Sequence, residues 1–98
     1  MIIGKVVGAA IASIKLDALK ASKILVVCPA DAQGNATGAA FLAVDLVGAG
    51  DGELVVVSQG SSARMAMGHL NGTSPVDAAI IGILDTINYC GEVAFRKE

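Results

Sequence analysis

The chain has 98 residues and a mass of 9.8 kDa, one core's worth of polypeptide, so residues 1–98 are read as a single domain and a second domain is excluded. Its formal charge is −2, from seven basic and nine acidic residues with no block of like sign, which removes the electrostatic footprint that nucleic-acid binding needs. Apolar residues make up 54% of the chain and aromatic ones 3%, so the interior has to be packed from Val, Ile, Leu and Ala.

Residues 1–14 are rich in β-branched side chains and carry Gly4 and Gly8, which predicts a long, bent first strand. Residues 15–23 mix Lys, Asp, Ala and Ser without an apolar stripe and read as a surface loop. Residues 24–28 form a buried strand stopped by Pro29, residues 31–38 have the composition of a hairpin turn, and residues 39–47 are the returning strand. Gly48, Ala49, Gly50, Asp51 and Gly52 are too glycine-rich for a regular element and join it to another strand over 53–58. Residues 61–68 suit a helix, with Ser61 as its cap and Gly68 as its stop. The segment 76–87 allows helix or strand. Strand is preferred, because Ile80, Ile81 and Ile83 are β-branched and Gly82 would weaken a helix by about 1 kcal/mol. Alternation over 92–97 gives a last half-buried strand. Short strands at this spacing with one late helix point to a small closed barrel or a sandwich.

A domain of this size hides roughly 60–65% of its unfolded surface. So apolar a chain should therefore leave aliphatic side chains exposed on an isolated subunit, which usually marks a partner surface. The apolar runs 24–30 and 78–84 are too short for a membrane span, and the N-terminal stretch around Lys5 lacks the layout of an export signal. A cytoplasmic protein without membrane contact is expected. Cys28 and Cys90 lack CxxC spacing, support neither a disulfide framework nor a zinc site, and read as small packing residues.

No residue is assigned a catalytic, cofactor-binding or metal-binding role. His69 is the sole histidine, and Gly60-Ser61-Ser62-Ala63 lacks the second glycine of a nucleophile elbow. The 48–53 segment opens like a dinucleotide fingerprint but has Glu53 in its sixth place and a strand after it. Asp45, Asp77 and Asp85 flank apolar runs and need partners if buried. Arg64 is the one interior arginine, and its planar fork suits a fixed bond to a carboxylate or to carbonyls at a subunit boundary.

Taken in order, Val44-Asp45, Val47-Gly48-Ala49-Gly50, Gly52-Glu53-Leu54-Val55, Gly60-Ser61-Ser62-Ala63-Arg64, Pro75-Val76-Asp77-Ala78 and Ile81-Gly82-Ile83-Leu84-Asp85 resemble the EutN/CcmL family. These are pentameric vertex proteins of bacterial microcompartment shells, carboxysomes and metabolosomes among them. Gly4-Lys5-Val6-Val7-Gly8 and the strand over 23–29 extend the resemblance to nearly the whole chain. It implies a mainly β fold, a five-stranded OB-like antiparallel barrel with one short helix and a C-terminal strand. It further implies a homopentamer that caps fivefold vertices, with hexameric or pseudohexameric shell tiles as partners and neither nucleic acid nor membrane. No cofactor, metal or reaction is implied. Five backbone copies can meet at an axis only where side chains are small, so Gly48, Ala49, Gly50, Asp51 and Gly52 are expected at the fivefold axis. Ser61, Ser62 and Arg64 are expected at the subunit interface with Asp77 and Asp85, either of which could pair with the arginine. The alternative is an OB-like ligand- or nucleic-acid-binding module, for which Phe41, Tyr89 and Phe95 are few and scattered. A small enzyme built on Asp45 or Asp85 is a further one.

Overall fold

Alternation of inward and outward side chains on short, twisted strands lets a sheet of only five close on itself, and the computed structural model of the chain shows that closure. It describes residues 1–11, 13, 22–66 and 76–97, the side chain of Arg64 apart. The elements are β1 (Ile2–Ala10), β2 (Lys23–Pro29), β3 (Phe41–Asp45), β4 (Leu54–Gln59), α1 (Ser61–Ala66), β5 (Ala78–Ile83), β6 (Thr86–Tyr89) and β7 (Glu92–Arg96). The barrel runs β1-β2-β3-β5-β4, and β6 and β7 form a separate two-stranded hairpin. The OB-like barrel, the single short helix and the C-terminal strand are all present among the described residues.

Four of the five barrel pairings are antiparallel and the fifth, β3 with β5, is parallel. Parity demands this, because strand directions cannot alternate all the way round a ring of five. Val6, Leu25, Val27, Ala43, Val55, Val57 and Ile80 point inward and are buried, with Ile2, Phe41 and Ile83 packed against them. A second small cluster outside the wall, Val44, Ala63, Val76 and Ala79, forms where α1 packs against β5 and β4.

Gly4 lies in the barrel wall between Pro29 of β2 and Val55 of β4. A Cβ there would stand 2.5 Å from Val27 Cγ1 and 3.1 Å from Val57 Cγ2, so the core valines occupy the space a side chain would take.

Several element boundaries differ from expectation. β1 ends at Ala10 instead of residue 14; the loop expected over 15–23 lies outside the described residues except for Ser22 and for Lys23, which opens β2. The strand expected over 39–47 is cut to Phe41–Asp45, because Asp45 folds back onto the amides that follow it. The helix is observed as Ser61–Ala66, residues 67–68 lying outside the description. Ser61 is its first residue, so the position before it, where a capping side chain would sit, is Gly60.

The strand expected over 76–87 is two. Leu84 N–H donates to Leu54 O at 2.9 Å, the chain then leaves the barrel, and Lys97 N–H to Asp85 O at 2.7 Å closes the hairpin stem. The hairpin turns on Cys90 and Gly91, both at positive φ, 55° and 81°. Cys90 is exposed in that two-residue turn and Cys28 is half-buried, so the packing role expected for Cys90 is not what the fold gives it. A non-glycine residue in the left-handed region costs about 1–2 kcal/mol.

Candidate functional site

The glycine turn crosses from the end of β3 to the start of β4, strands that are not hydrogen-bonded neighbours, and is fixed by two carboxylates. Asp45 accepts from Val47 N–H and Gly48 N–H through Oδ1, both at 3.1 Å, and from Ala49 N–H through Oδ2 at 3.0 Å. From the other side, Glu53 Oε1 accepts Gly50 N–H at 2.7 Å, while Gly52 N–H donates to Val6 O at 2.8 Å. Gly48 and Gly52 sit at φ 77° and 83°, a backbone that side-chain-bearing residues rarely adopt. Ala49 drops into the barrel core at 2% exposure and Asp51 remains exposed. A row of glycine amides usually suggests an anion nest. Here those of 47–50 and 52 already have acceptors within the subunit, so the turn offers a rigid rim rather than a phosphate cradle.

Asp45→Ala should cost about 1–3 kcal/mol, because several amides lose a charged acceptor at once. Asp45→Asn, which keeps an acceptor oxygen, should recover part of that loss; thermal melts that place all three proteins together would show that the turn holds itself.

Two apolar faces lie on the outside of the barrel. On the first, Val26 of β2 stands between Gly8 of β1 and Leu42 of β3. A bulge after Val6 pushes Val7 out beside them. Val7 and Leu42 are 49% and 56% exposed. On the second, the register runs from Ile3 through Val56 to Gly82, and a bulge in β5 turns Ile81 outward. Met1, Ile3, Val56, Leu84 and Ile87 line an apolar groove there, between the barrel and the hairpin. The first face is built on β1, β2 and β3 and the second on β1, β4 and β5 beside the hairpin, and they carry part of the aliphatic excess that composition announced, Ile11, Leu46, Val47, Met65 and Val93 being exposed as well.

The expected boundary residues divide between two places. Ser61 and Ser62 are exposed at the start of α1, and Asp77, also exposed, is tied to the same place by Gly60 N–H donating to Asp77 O at 2.7 Å. Asp85 lies beyond the far end of β5, roughly 25 Å along the chain from Asp77 at strand spacing. Arg64 contributes its backbone to α1, and its side chain, like His69, is outside the described residues.

Reading the sequence missed what Asp45, Glu53, Val7 and Leu42 do. An aspartate before a glycine turn is a recognisable turn-capping signal. Nothing local marks which side of β1 or β3 would be outermost. Of the aromatics, Phe41 packs on the core, Phe95 stands beside Gly34 and Leu54, and Tyr89 is exposed on the hairpin. They make no stacking platform of the kind the nucleic-acid alternative needs. Among the described residues no group of three or more His, Cys, Asp or Glu could hold a metal ion, and no helix is long and apolar enough to cross a membrane.

Known proteins share both the sequence and this geometry. Residues 1–85, which end where the hairpin begins, match the family described as "Ethanolamine utilisation protein EutN/carboxysome". The bacterial microcompartment shell vertex protein EutN of Salmonella typhimurium is 42% identical over 92 residues, which span 94% of this chain and 91% of that protein. The structure of CcmL from Nostoc sp. PCC 7120 matches with a TM-score of 0.87 at 37% identity, over 99% of this chain and 100% of that one. The GrpN pentameric microcompartment shell protein from Rhodospirillum rubrum matches with a TM-score of 0.79 at 40% identity, over 91% and 99%. With its barrel matched end to end and its sequence this similar throughout, the chain belongs to the EutN/CcmL family.

Proposed function

We propose that the protein is a structural shell subunit that assembles head to tail into a homopentamer, caps the fivefold vertices of a bacterial microcompartment in the cytoplasm, and performs no reaction. The observation that carries this reading is the pair of unlike apolar faces on the outside of the barrel. A twofold dimer buries the same patch on both partners, whereas a closed ring buries two different patches, one from each neighbour. The face of Val7, Val26 and Leu42 in one subunit would cover the Ile3, Val56 and Ile87 face of the next. The relatives named as vertex proteins, and the GrpN structure described as pentameric, support the same arrangement.

In such a ring the 48–52 turn would lie at the axis with the five Asp51 carboxylates on its rim. Ser61, Ser62, Arg64 and Asp77 would reach one subunit boundary and Asp85 the other. Hexameric or pseudohexameric tiles form flat sheets that close only where fivefold corners are introduced, and the pentamer would occupy those corners. Deleting the gene should therefore leave elongated or leaky compartments, with cargo enzyme activity unchanged in lysate. Electron micrographs and intermediate leakage compared with and without the protein provide the test. Closed, tight shells in the deletion strain, with no second vertex protein present, would refute vertex capping, and lost lysate activity with intact shells would point to an enzyme.

A further inference from the structure

Beyond the two barrel faces, one side chain joins two segments far apart in sequence. Glu53 precedes β4 and presents both carboxylate oxygens to different elements: Oε1 accepts Gly50 N–H at 2.7 Å, and Oε2 accepts from Lys97 Nζ at the end of the hairpin. The hairpin is paired only with itself among the described strands, so its hold on the barrel rests on a few contacts. Phe95 packs near Gly34, Ile87 lines the apolar groove, and Lys97 reaches Glu53. Asp51, Glu53, Leu54, Phe95, Arg96 and Lys97 line a shallow cleft where turn and hairpin meet.

We propose that Glu53 is a latch that fastens the C-terminal hairpin to the glycine turn, so that the two segments hold or loosen together. The bond between Glu53 and Gly50 is local, and a free glutamate has other rotamers to visit. Lys97 removes that freedom, since a charge-assisted bond on one oxygen orients the other at Gly50. A load on the hairpin, which exposes Tyr89 and Val93, reaches the turn by this route. The latch does not depend on where the turn sits in an assembly.

Its response to pH follows from the same contacts. Lys97, and then Gly50 N–H, hold the Glu53 carboxyl below its ordinary value of 4.5, and Glu53 holds the Lys97 ammonium above its ordinary 10.5. The other charges facing this pair are Asp51, Asp85 and Arg96. A lowered carboxyl contributes stability that is complete above the ordinary value and is lost as pH falls through the lowered one. A raised ammonium contributes stability that is complete below its ordinary value and is lost as pH rises through the raised one. The latch is thus closed between those limits and opens in acid.

The deciding experiment uses the intact assembly and Lys97→Met, which touches only the hairpin end. Hydrogen exchange should quicken about two- to fivefold, the size expected for an exposed ion pair. It should do so over residues 86–97 and also over 48–52, with β2 unchanged as the control for folding. The Gly50 amide resonance should titrate below 4.5 in the parent and move upward in the variant, and Lys97→Arg should restore both readouts. A Lys97→Met protein in which only the hairpin exchanges faster, with the Gly50 titration unmoved, would overturn the latch. So would one in which neither segment changes.

Discussion

Leu42→Asp should turn the proposed pentamer into folded monomers. Leu42 is 56% exposed on the isolated subunit and points away from the core, so a charge there leaves the barrel intact, as most surface substitutions do, within about 0.5 kcal/mol. In a ring the same position lies under a neighbour, where a carboxylate would be stripped of water with no cation opposite. Leaving a buried charge unpaired costs about 3–5 kcal/mol, and each 1.4 kcal/mol is a tenfold change in affinity. The penalty recurs at every boundary of a symmetric ring. Native mass at micromolar concentration should show the monomer, with circular dichroism still that of a β protein, while Leu42→Met should stay assembled. A Leu42→Asp protein of unchanged mass would move the boundary away from the β1-β2-β3 face.

Gly4→Ala should be the most damaging single-methyl change in the barrel wall. The added Cβ would stand 2.5 Å from Val27 Cγ1, and Val27 and Val57 are both fully buried, so neither valine can swing aside. Overpacking of this kind costs about 1–3 kcal/mol. In a domain of about 100 residues each kcal/mol lowers the melting temperature by roughly 4–8 °C. The mechanism is tested by a double-mutant cycle. Val27→Ala opens the space that the new methyl needs, so the double variant should be less destabilised than the sum of the two singles. Additive losses would mean that the strand shifts instead and that contact with Val27 is not the reason for glycine at this position.

Much of the barrel was legible because β2 and β4 are short, β-branched apolar runs, and because turn residues punctuate the chain at Pro29, over 31–38 and over 48–52. The break at residues 84–85 was not, since the apolar run stops at Leu84 but β-branched residues resume at Thr86 and Ile87, and the hydrogen bond from Leu84 to Leu54 shows where the barrel ends. The position of Cys90 was also hidden, because cysteine carries no turn signal and its left-handed backbone is imposed by the two-residue hairpin loop. Composition announced that aliphatic surface would remain outside the subunit. It could not say where, because period two gives each strand two faces without naming the inner one, and the bulges that expose Val7 and Ile81 leave no mark in the sequence. The glycine turn was found, but for an incomplete reason: its glycines answer first to the backbone geometry at Gly48 and Gly52 and to the two carboxylates that hold it.

In the proposed assembly one subunit's two apolar faces complete each other in a closed fivefold ring. Native mass spectrometry of the purified protein at micromolar concentration tests it most directly. Five chains of 9.8 kDa should appear as a single 49 kDa species, whereas a monomer at 9.8 kDa, a dimer or a sixfold ring would contradict it.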